Sequence, residues 1–317
     1  MYDIPLIDIG VLANGDTAAR TRVISLIGAA CRGTGFFVIT GHGVTPALMR
    51  DADAAAHEVF ALPPDAKREL AITKHGYNRG YVGLGVEALD EKTLPDLKEA
   101  YNLIWSGDTT RPSNVWPPLP GWRERAQLYF DAVLAVGQRL HLAFAVDLGL
   151  DENFFEDKLD RSMATLRFLH YPMAAPAAPA ASVAADGAAI GLPGAGTHTD
   201  YGNVTLLATD GVAGLQVRRR DGSWIEVPPT PGAFICNIGD CLMRWSNDVY
   251  VSTPHRVVAP AHERYSIAFF LDPNPDAMVS AIPSCVPAGE SPRYAPITAG
   301  AYLQQRLSAT YAGKAPA

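Results

Sequence analysis

Apolar positions follow two different rhythms along this chain, and the change comes near residue 161. Before it the helical period dominates. From about Thr17 to Thr34 apolar groups recur at helical spacing (Val23, Leu26, Ile27, Ala30) and stop at Gly33 and Gly35, which predicts a helix closed by glycine. A second helix is predicted from about Pro46 to Phe60. The clearest one runs from about Gly121 to Leu148, with a stripe of Leu128, Val133, Val136, Leu140 and Phe144. Around these, IPLIDIG at the start reads as a strand whose Asp8 is placed to cap the next segment. FFVIT reads as a short buried strand, and GHGV as a turn. Gly, Pro and aromatic residues from Tyr77 to Pro120 predict irregular, packed connections.

After Arg161 the period shortens to two. ATLRFLHY, VTLLA, LQVRR, WIEV, AFICNI, HRVVA and YSIAFFL are short β-rich runs separated by Gly, Pro, Asn and Asp, with no helix expected between them. That pattern points to an antiparallel barrel or jelly roll, not a parallel α/β sheet. A last helix is predicted from about Thr298 to Tyr311. The expected organisation is a helical and mixed region over 1–160, a β core over 161–290, and a C-terminal helix and tail over 291–317. No repeats interrupt it. The stretch Pro172–Gly196 is rich in Ala, Pro and Gly and has little to bury, so mobility is expected there. It reads either as a lid over a site mouth or as a tolerated insertion.

Composition narrows the function. A chain of 317 residues, 48% hydrophobic and 19% charged, carries a real core. The formal net charge of −7 repels phosphate backbones, so nucleic acid is excluded as an expected partner and small molecules are favoured. No basic stretch followed by an apolar run opens the chain, and no apolar stretch reaches the roughly 18 residues of a membrane span. A cytoplasmic protein without membrane association is expected. The four cysteines (Cys31, Cys236, Cys241, Cys285) read as reduced core thiols, and the Cys236–Cys241 spacing fits no zinc pair. Oligomeric state is not legible at this level.

The candidate chemistry lies in three short segments. GTHTDYGNVTLL holds His198 and Asp200, two apart and therefore on one side of an extended strand; STPHRV holds His255. Two imidazoles and a carboxylate make the facial triad suited to non-haem iron(II), with three coordination positions left open. With eight histidines in the chain, His-x-Asp alone also fits a capped turn. The third segment, RYSIAFF, tips the balance. Alternation puts Arg264 and Ser266 on one face with Ala268 and Phe270, and an arginine fork beside a hydroxyl suits a carboxylate ligand. The competing reading of Arg264 is a surface salt bridge. No GxGxxG after a strand, no GxSxG and no phosphate-binding loop is present. His42 in GHGV is assigned to a turn, and His170 to the strand face opposite Tyr171.

With these motifs in order, the chain resembles the isopenicillin N synthase-like branch of the 2-oxoglutarate- and iron(II)-dependent oxygenases. IPLIDIG, CRGTGFFVITGHGV, DLKEAYN, NVWPPLPGWRE, LRFLHYP, GTHTDYGNVTLLATDGVAGLQV, ICNIGDCLMRWSNDVYVSTPHRVV and RYSIAFFLDP carry the likeness over nearly the whole length. The resemblance implies a double-stranded β-helix (distorted jelly roll) wrapped by N-terminal helices. It places iron(II) on His198, Asp200 and His255, and the distal carboxylate of 2-oxoglutarate on Arg264 and Ser266 with Tyr171. It implies O2-dependent oxidation, hydroxylation by default, of a small metabolite with release of succinate and CO2. Many members carry asparagine where this chain has Leu169, which puts the metal end of the oxo-acid in question. Arg167 and Phe270 are the candidates for substrate contact, Arg167 toward an anionic or carbonyl-bearing group. Two rivals stand beside this reading. One is an oxidase that uses the same triad without 2-oxoglutarate, its Arg-x-Ser pair holding a substrate carboxylate. The other is a non-catalytic jelly-roll binding protein.

Overall fold

The computed structural model describes residues 4–87, 96–107, 112–173, 182–183, 189–190, 194–260 and 262–311. Most of the Ala/Pro/Gly-rich stretch read as either a lid or a tolerated insertion lies outside them. Three long helices form where the apolar period predicts them. In α1 (Thr17–Gly33) the Asp16 carboxylate accepts the Ala19 N–H at 2.8 Å. In α2 (Pro46–Phe60) the Thr45 hydroxyl accepts the Leu48 N–H at 3.2 Å, with proline in the first turn where no N–H is needed. The third is α3 (Trp122–Asp147), which starts after Gly121 in a left-handed conformation. The buried stripes differ in part from those expected. Leu26 and Leu128 are 49% and 62% exposed, while Ile27, Tyr129 and Phe130 take the buried face. Successive helical residues point about 100° apart, so an apolar run cannot place every member on the core side. Asp8 accepts the Gly10 N–H at 2.9 Å, holding the chain's exit from the first strand; the short helix beyond has no side-chain cap.

The larger sheet has eight strands. From the N-terminal region come β1 (Leu6–Asp8), β2 (Phe36–Thr40), β3 (Gly80–Val82) and β4 (Glu99–Ile104), then β5 (Thr165–Tyr171). The smaller sheet and the rest of the larger one use β6 (Ala195–His198), β7 (Val204–Thr209), β8 (Leu215–Arg218), β9 (Trp224–Glu226), β10 (Phe234–Ile238), β11 (His255–Val257) and β12 (Arg264–Leu271). The large sheet runs β1-β2-β10-β7-β12-β5-β4-β3 and the small one β9-β8-β11-β6; every pairing in these two sheets is antiparallel except β1 with β2.

Strands β3 and β4 correct the expectation of irregular chain from Tyr77 to Pro120. All six residues of β4 are buried, although Glu99 and Asn102 interrupt its apolar pattern. Both find partners inside the protein, although the Asn102 side-chain oxygen is buried and accepts no hydrogen bond among the described residues. Glu99 accepts from Lys67, Tyr81 and His170, and Asn102 donates to Asn78. A second correction is the short helix α4 (Asp240–Trp245) between β10 and β11, where only strands were expected. The first N–H groups at its start bind the loop after β6: Asp240 donates to the Asp200 carbonyl at 2.8 Å and Cys241 to that of Gly202 at 2.9 Å.

The large sheet is covered on both faces, and alternation sorts its side chains. Leu166 and Phe168 on β5, Phe234, Cys236 and Ile238 on β10, and Ile267 and Phe269 on β12 pack against α1–α3 in one core. Leu169, Ile235 and Ala268 face Ala195, Leu215, Val217 and Val257 of the small sheet in a second core. Each large apolar side chain so buried contributes about 1.5–3 kcal/mol. The space between the sheets, toward one end of this second core, is the site. The C-terminal helix α5 (Ala299–Tyr311) lies at that end. All four cysteines are buried and unpaired, and no helix among the described residues is long and apolar enough to cross a membrane.

Candidate metal centre and co-substrate pocket

His198 ends β6 and pairs in register with His255, which begins β11, so hydrogen bonding between the strands sets two imidazoles side by side with ring centroids 4.3 Å apart. Asp200 arrives differently from the strand alternation expected of it. The strand stops at His198, and Asp200 sits in the following loop, its backbone carbonyl held by α4. Its carboxylate is aimed by two donors on the large sheet: Asn237 donates to Oδ2 at 2.7 Å, and Thr205 donates to the same oxygen. That leaves Oδ1 facing the histidines, 3.7 Å from Nε2 of His198 and 3.7 Å from Nε2 of His255.

The donor set fits a metal. Each imidazole spends its Nδ1–H on a backbone carbonyl, Gly196 at 2.7 Å and Thr253 at 3.1 Å, because a carbonyl only accepts. The Nε2 lone pairs therefore point inward. Burial and the adjacent His255 ring hold His198 well below the usual imidazole range, so it is neutral. Burial opposes ionisation of Asp200, but both histidines and its two hydrogen bonds outweigh that and hold it below the ordinary carboxylate range. A metal at roughly 2.1 Å from each ligand atom spans separations up to about 4.2 Å, which covers both 3.7 Å distances. With two nitrogens, one oxygen and no thiolate, the set matches iron(II).

Along β12, Arg264, Ser266, Ala268 and Phe270 face the interior, as alternation requires. Arg264 is 1% exposed, which removes the surface salt-bridge reading. Its Nη1 donates to Ser266 Oγ at 3.2 Å, its Nε to the Val212 carbonyl at 3.2 Å, and its guanidinium lies 4.9 Å from the centre of the Tyr171 ring. Among the described residues no carboxylate pairs with it. A buried cation without a counter-ion is costly unless a ligand supplies one. Register places Leu169 opposite Ser266, so an apolar wall stands where the resemblance leads one to expect asparagine.

Arg167 and Phe270 line the same cavity as the triad, about 460 Å³ in volume. Arg167 is bonded to the buried Glu87, which also lies 3.5 Å from Lys98, so its charge is already compensated and not held open for a substrate anion. Burial opposes ionisation of Glu87, but Arg167 and Lys98 outweigh it and bring the carboxyl down to about 2. His170 points to the opposite face, bonded to Glu99 and Glu263 and stacked on Tyr265 at 4.5 Å. His42 accepts the Val44 N–H within its turn, between Gly41 and Gly43, whose positive φ angles only glycine adopts without strain. Asn237, Thr205 and Asp272 are residues of this site that the sequence patterns do not reach. Asn237 leaves a signal as the one polar side chain inside AFICNI; Thr205 reads as an ordinary strand residue. Burial and the Asp200 carboxylate push Asp272 up to about 7.

Comparison with known proteins agrees with this geometry. Residues 4–119 match the region described as non-haem dioxygenase in morphine synthesis N-terminal, and residues 179–273 match the 2OG-Fe(II) oxygenase superfamily. The 2-oxoglutarate-Fe(II) type oxidoreductase hxnY of Emericella nidulans is 35% identical, covering 95% of this chain and 89% of its own. A full-length Neurospora crassa protein, solved in complex with alpha-KG and thymine, is 34% identical over 97% of each chain with a TM-score of 0.85. JOX2, solved with 2OG, Fe and JA, is 32% identical over 96% of this chain and 84% of its own, TM-score 0.79. These likenesses favour use of 2-oxoglutarate over the oxidase that dispenses with it, and three converging ligands argue against a binding protein without chemistry. The chain belongs to the 2-oxoglutarate- and Fe(II)-dependent oxygenases.

Proposed function

We propose that His198, Asp200 and His255 hold the iron, that Arg264, Ser266 and Tyr171 hold the far carboxylate of 2-oxoglutarate, and that the prime substrate is a small molecule seated against Phe270. The observation that carries this is a buried arginine, lacking a carboxylate partner among the described residues, packed behind Tyr171, which itself lines the cavity where the triad converges. When bound, the iron supplies the oxidising chemistry, coupling decarboxylation of 2-oxoglutarate by O2 to oxidation of a substrate C–H bond, with succinate and CO2 released. Hydroxylation is the expected outcome.

The chain's own residues position and shelter. The Arg264 guanidinium neutralises the distal carboxylate, with the Ser266 hydroxyl beside it to donate a second hydrogen bond. Asn237 and Thr205 keep the Asp200 carboxylate turned to the metal. Ile104, Leu207, Phe270, Leu303 and Leu307 exclude water and fix the substrate by shape. Small-molecule ligands of the solved relatives, thymine and JA, support a substrate of that size for a cavity of about 460 Å³. The four unpaired, buried cysteines support a reducing, cytoplasmic setting.

Anaerobic iron titration of His255→Ala tests the assignment. Metal binding and turnover should both be lost while the circular dichroism spectrum stays native, since this side chain closes the metal site and is not part of either sheet's apolar core. If the variant takes up one iron with the parent's affinity, the triad is misassigned.

A further inference from the structure

Among the described residues, every buried acid that lines the cavity is satisfied from within the protein except one. Glu87 is met by Arg167 and Lys98, and Asp200 by Asn237 and Thr205. Asp272 lines the same cavity, is 8% exposed, and has no hydrogen bond or ion pair to its carboxylate among the described residues. A buried carboxylate without donors loses its hydration for nothing in return, and a donor arriving with a ligand would offset that cost.

Its position says what that partner is. Arg264, Ser266, Ala268, Phe270 and Asp272 are successive inward positions on β12 and its exit. Arg264 and Asp272 are therefore at opposite ends of the series. The metal end lies close to Asp272. Thr205, which bonds Asp200, pairs in register with Phe270, and Asp272 comes two residues later. An oxo-acid stretched between Arg264 and the metal leaves Asp272 on the far side, where the prime substrate goes. The neighbouring chain makes room for it, since a Cβ on Gly202 would stand 1.5 Å from Asp272 Oδ1. Met163, Phe270, Pro275, Leu303 and Leu307 give the cavity an apolar lining, alongside the hydroxyl-bearing Thr199, Tyr201 and Thr205.

We propose that Asp272 sets substrate specificity by accepting a hydrogen bond from an N–H group, neutral or cationic, on an otherwise apolar small molecule. This rests on the site assignment made above and deepens it: the ionised Asp272 carboxylate rejects an anionic substrate at this end of the cavity.

The test uses three single-ring probes of matched size, benzamidine (cationic donor), benzamide (neutral donor) and benzoate (anion). Each is titrated calorimetrically and without oxygen into the protein loaded with Fe(II) and 2-oxoglutarate. In the parent, benzamidine and benzamide should bind more tightly than benzoate by on the order of tenfold or more, the scale of one hydrogen bond to a charged group. Asp272→Leu should abolish that preference. Asp272→Asn should weaken benzamidine more than benzamide, because the amide oxygen still accepts but no longer carries charge. The affinity for 2-oxoglutarate, measured in the same samples, should not change. The proposal is overturned if the parent prefers benzoate, if no donor probe binds it up to the solubility limit, or if Asp272→Leu keeps the parent's preference. Failure of the parent to bind 2-oxoglutarate would overturn the site assignment and this inference together, and it is read separately from probe binding.

Discussion

Asn237 offers a quantitative check on how the protein, and not the metal alone, sets the geometry of the centre. Its amide donates to Asp200 Oδ2 at 2.7 Å, with both residues buried between the sheets. In Asn237→Leu the branching at Cγ is kept and the donor is removed, leaving Thr205 as the one side-chain donor to that oxygen among the described residues. A hydrogen bond to a buried charged group is worth about 1.5–3 kcal/mol. At 1.4 kcal/mol per tenfold change, that corresponds to a loss of roughly ten- to a hundredfold in metal affinity. The independent expectation for residues that orient a metal ligand is also about ten- to a hundredfold. Direction follows from charge. With one donor gone, burial weighs more heavily on Asp200, the carboxyl holds its proton more firmly, and the metal must displace it. Anaerobic Fe(II) titration by calorimetry gives the affinity, and thermal denaturation of the same sample shows that the chain is folded. Thr205→Val should act in the same direction, and the double variant should exceed either one. A folded Asn237→Leu protein that binds iron within about twofold of the parent would refute the reasoning.

Buried charges elsewhere give two more expected outcomes. Arg264→Leu should weaken 2-oxoglutarate by about 2–5 kcal/mol with little change in iron affinity, and Arg264→Lys should recover only part of it because an ammonium cannot reproduce the fork. An unchanged 2-oxoglutarate affinity would instead hand Arg264 to the prime substrate. His141 lies within α3, its Nδ1–H donating to the Gly137 carbonyl and its Nε2 accepting from Asn203; burial lowers its pKa from 6.5 to about 4. The unfolded chain then binds the extra proton, so stability is complete above pH 6.5 and falls as pH drops toward 4, by about 3 kcal/mol in full and about 2 kcal/mol by pH 5. Urea denaturation at pH 7 and pH 5 measures it, and His141→Gln should flatten the difference; an identical pH slope in the variant would dismiss His141 as its source.

The sequence by itself determined the local periods and the chemical inventory. The helical period of α1–α3, the two-residue period of β5, β10 and β12, and the identities of His198, Asp200, His255, Arg264 and Ser266 are all local properties, readable without knowing what lies across the molecule. Tertiary structure decided whatever depends on a partner distant in the chain. The Gly, Pro and aromatic content from Tyr77 to Pro120 hides β4, whose buried Glu99 and Asn102 bond to Lys67, Tyr81, His170 and Asn78 from other segments. Leu26 and Leu128 look like core until the packing of the helices assigns the buried face to their neighbours. Arg167 faces the cavity as its strand dictates, yet Glu87 takes up its charge. Asp200 points at the two histidines because Asn237 and Thr205 hold its other oxygen, and no spacing within GTHTDYGN could reveal that. A side chain's direction is set by its own backbone, whereas its charge state, exposure and free valence are set by what packs against it, and that is fixed only when the sheets and helices come together.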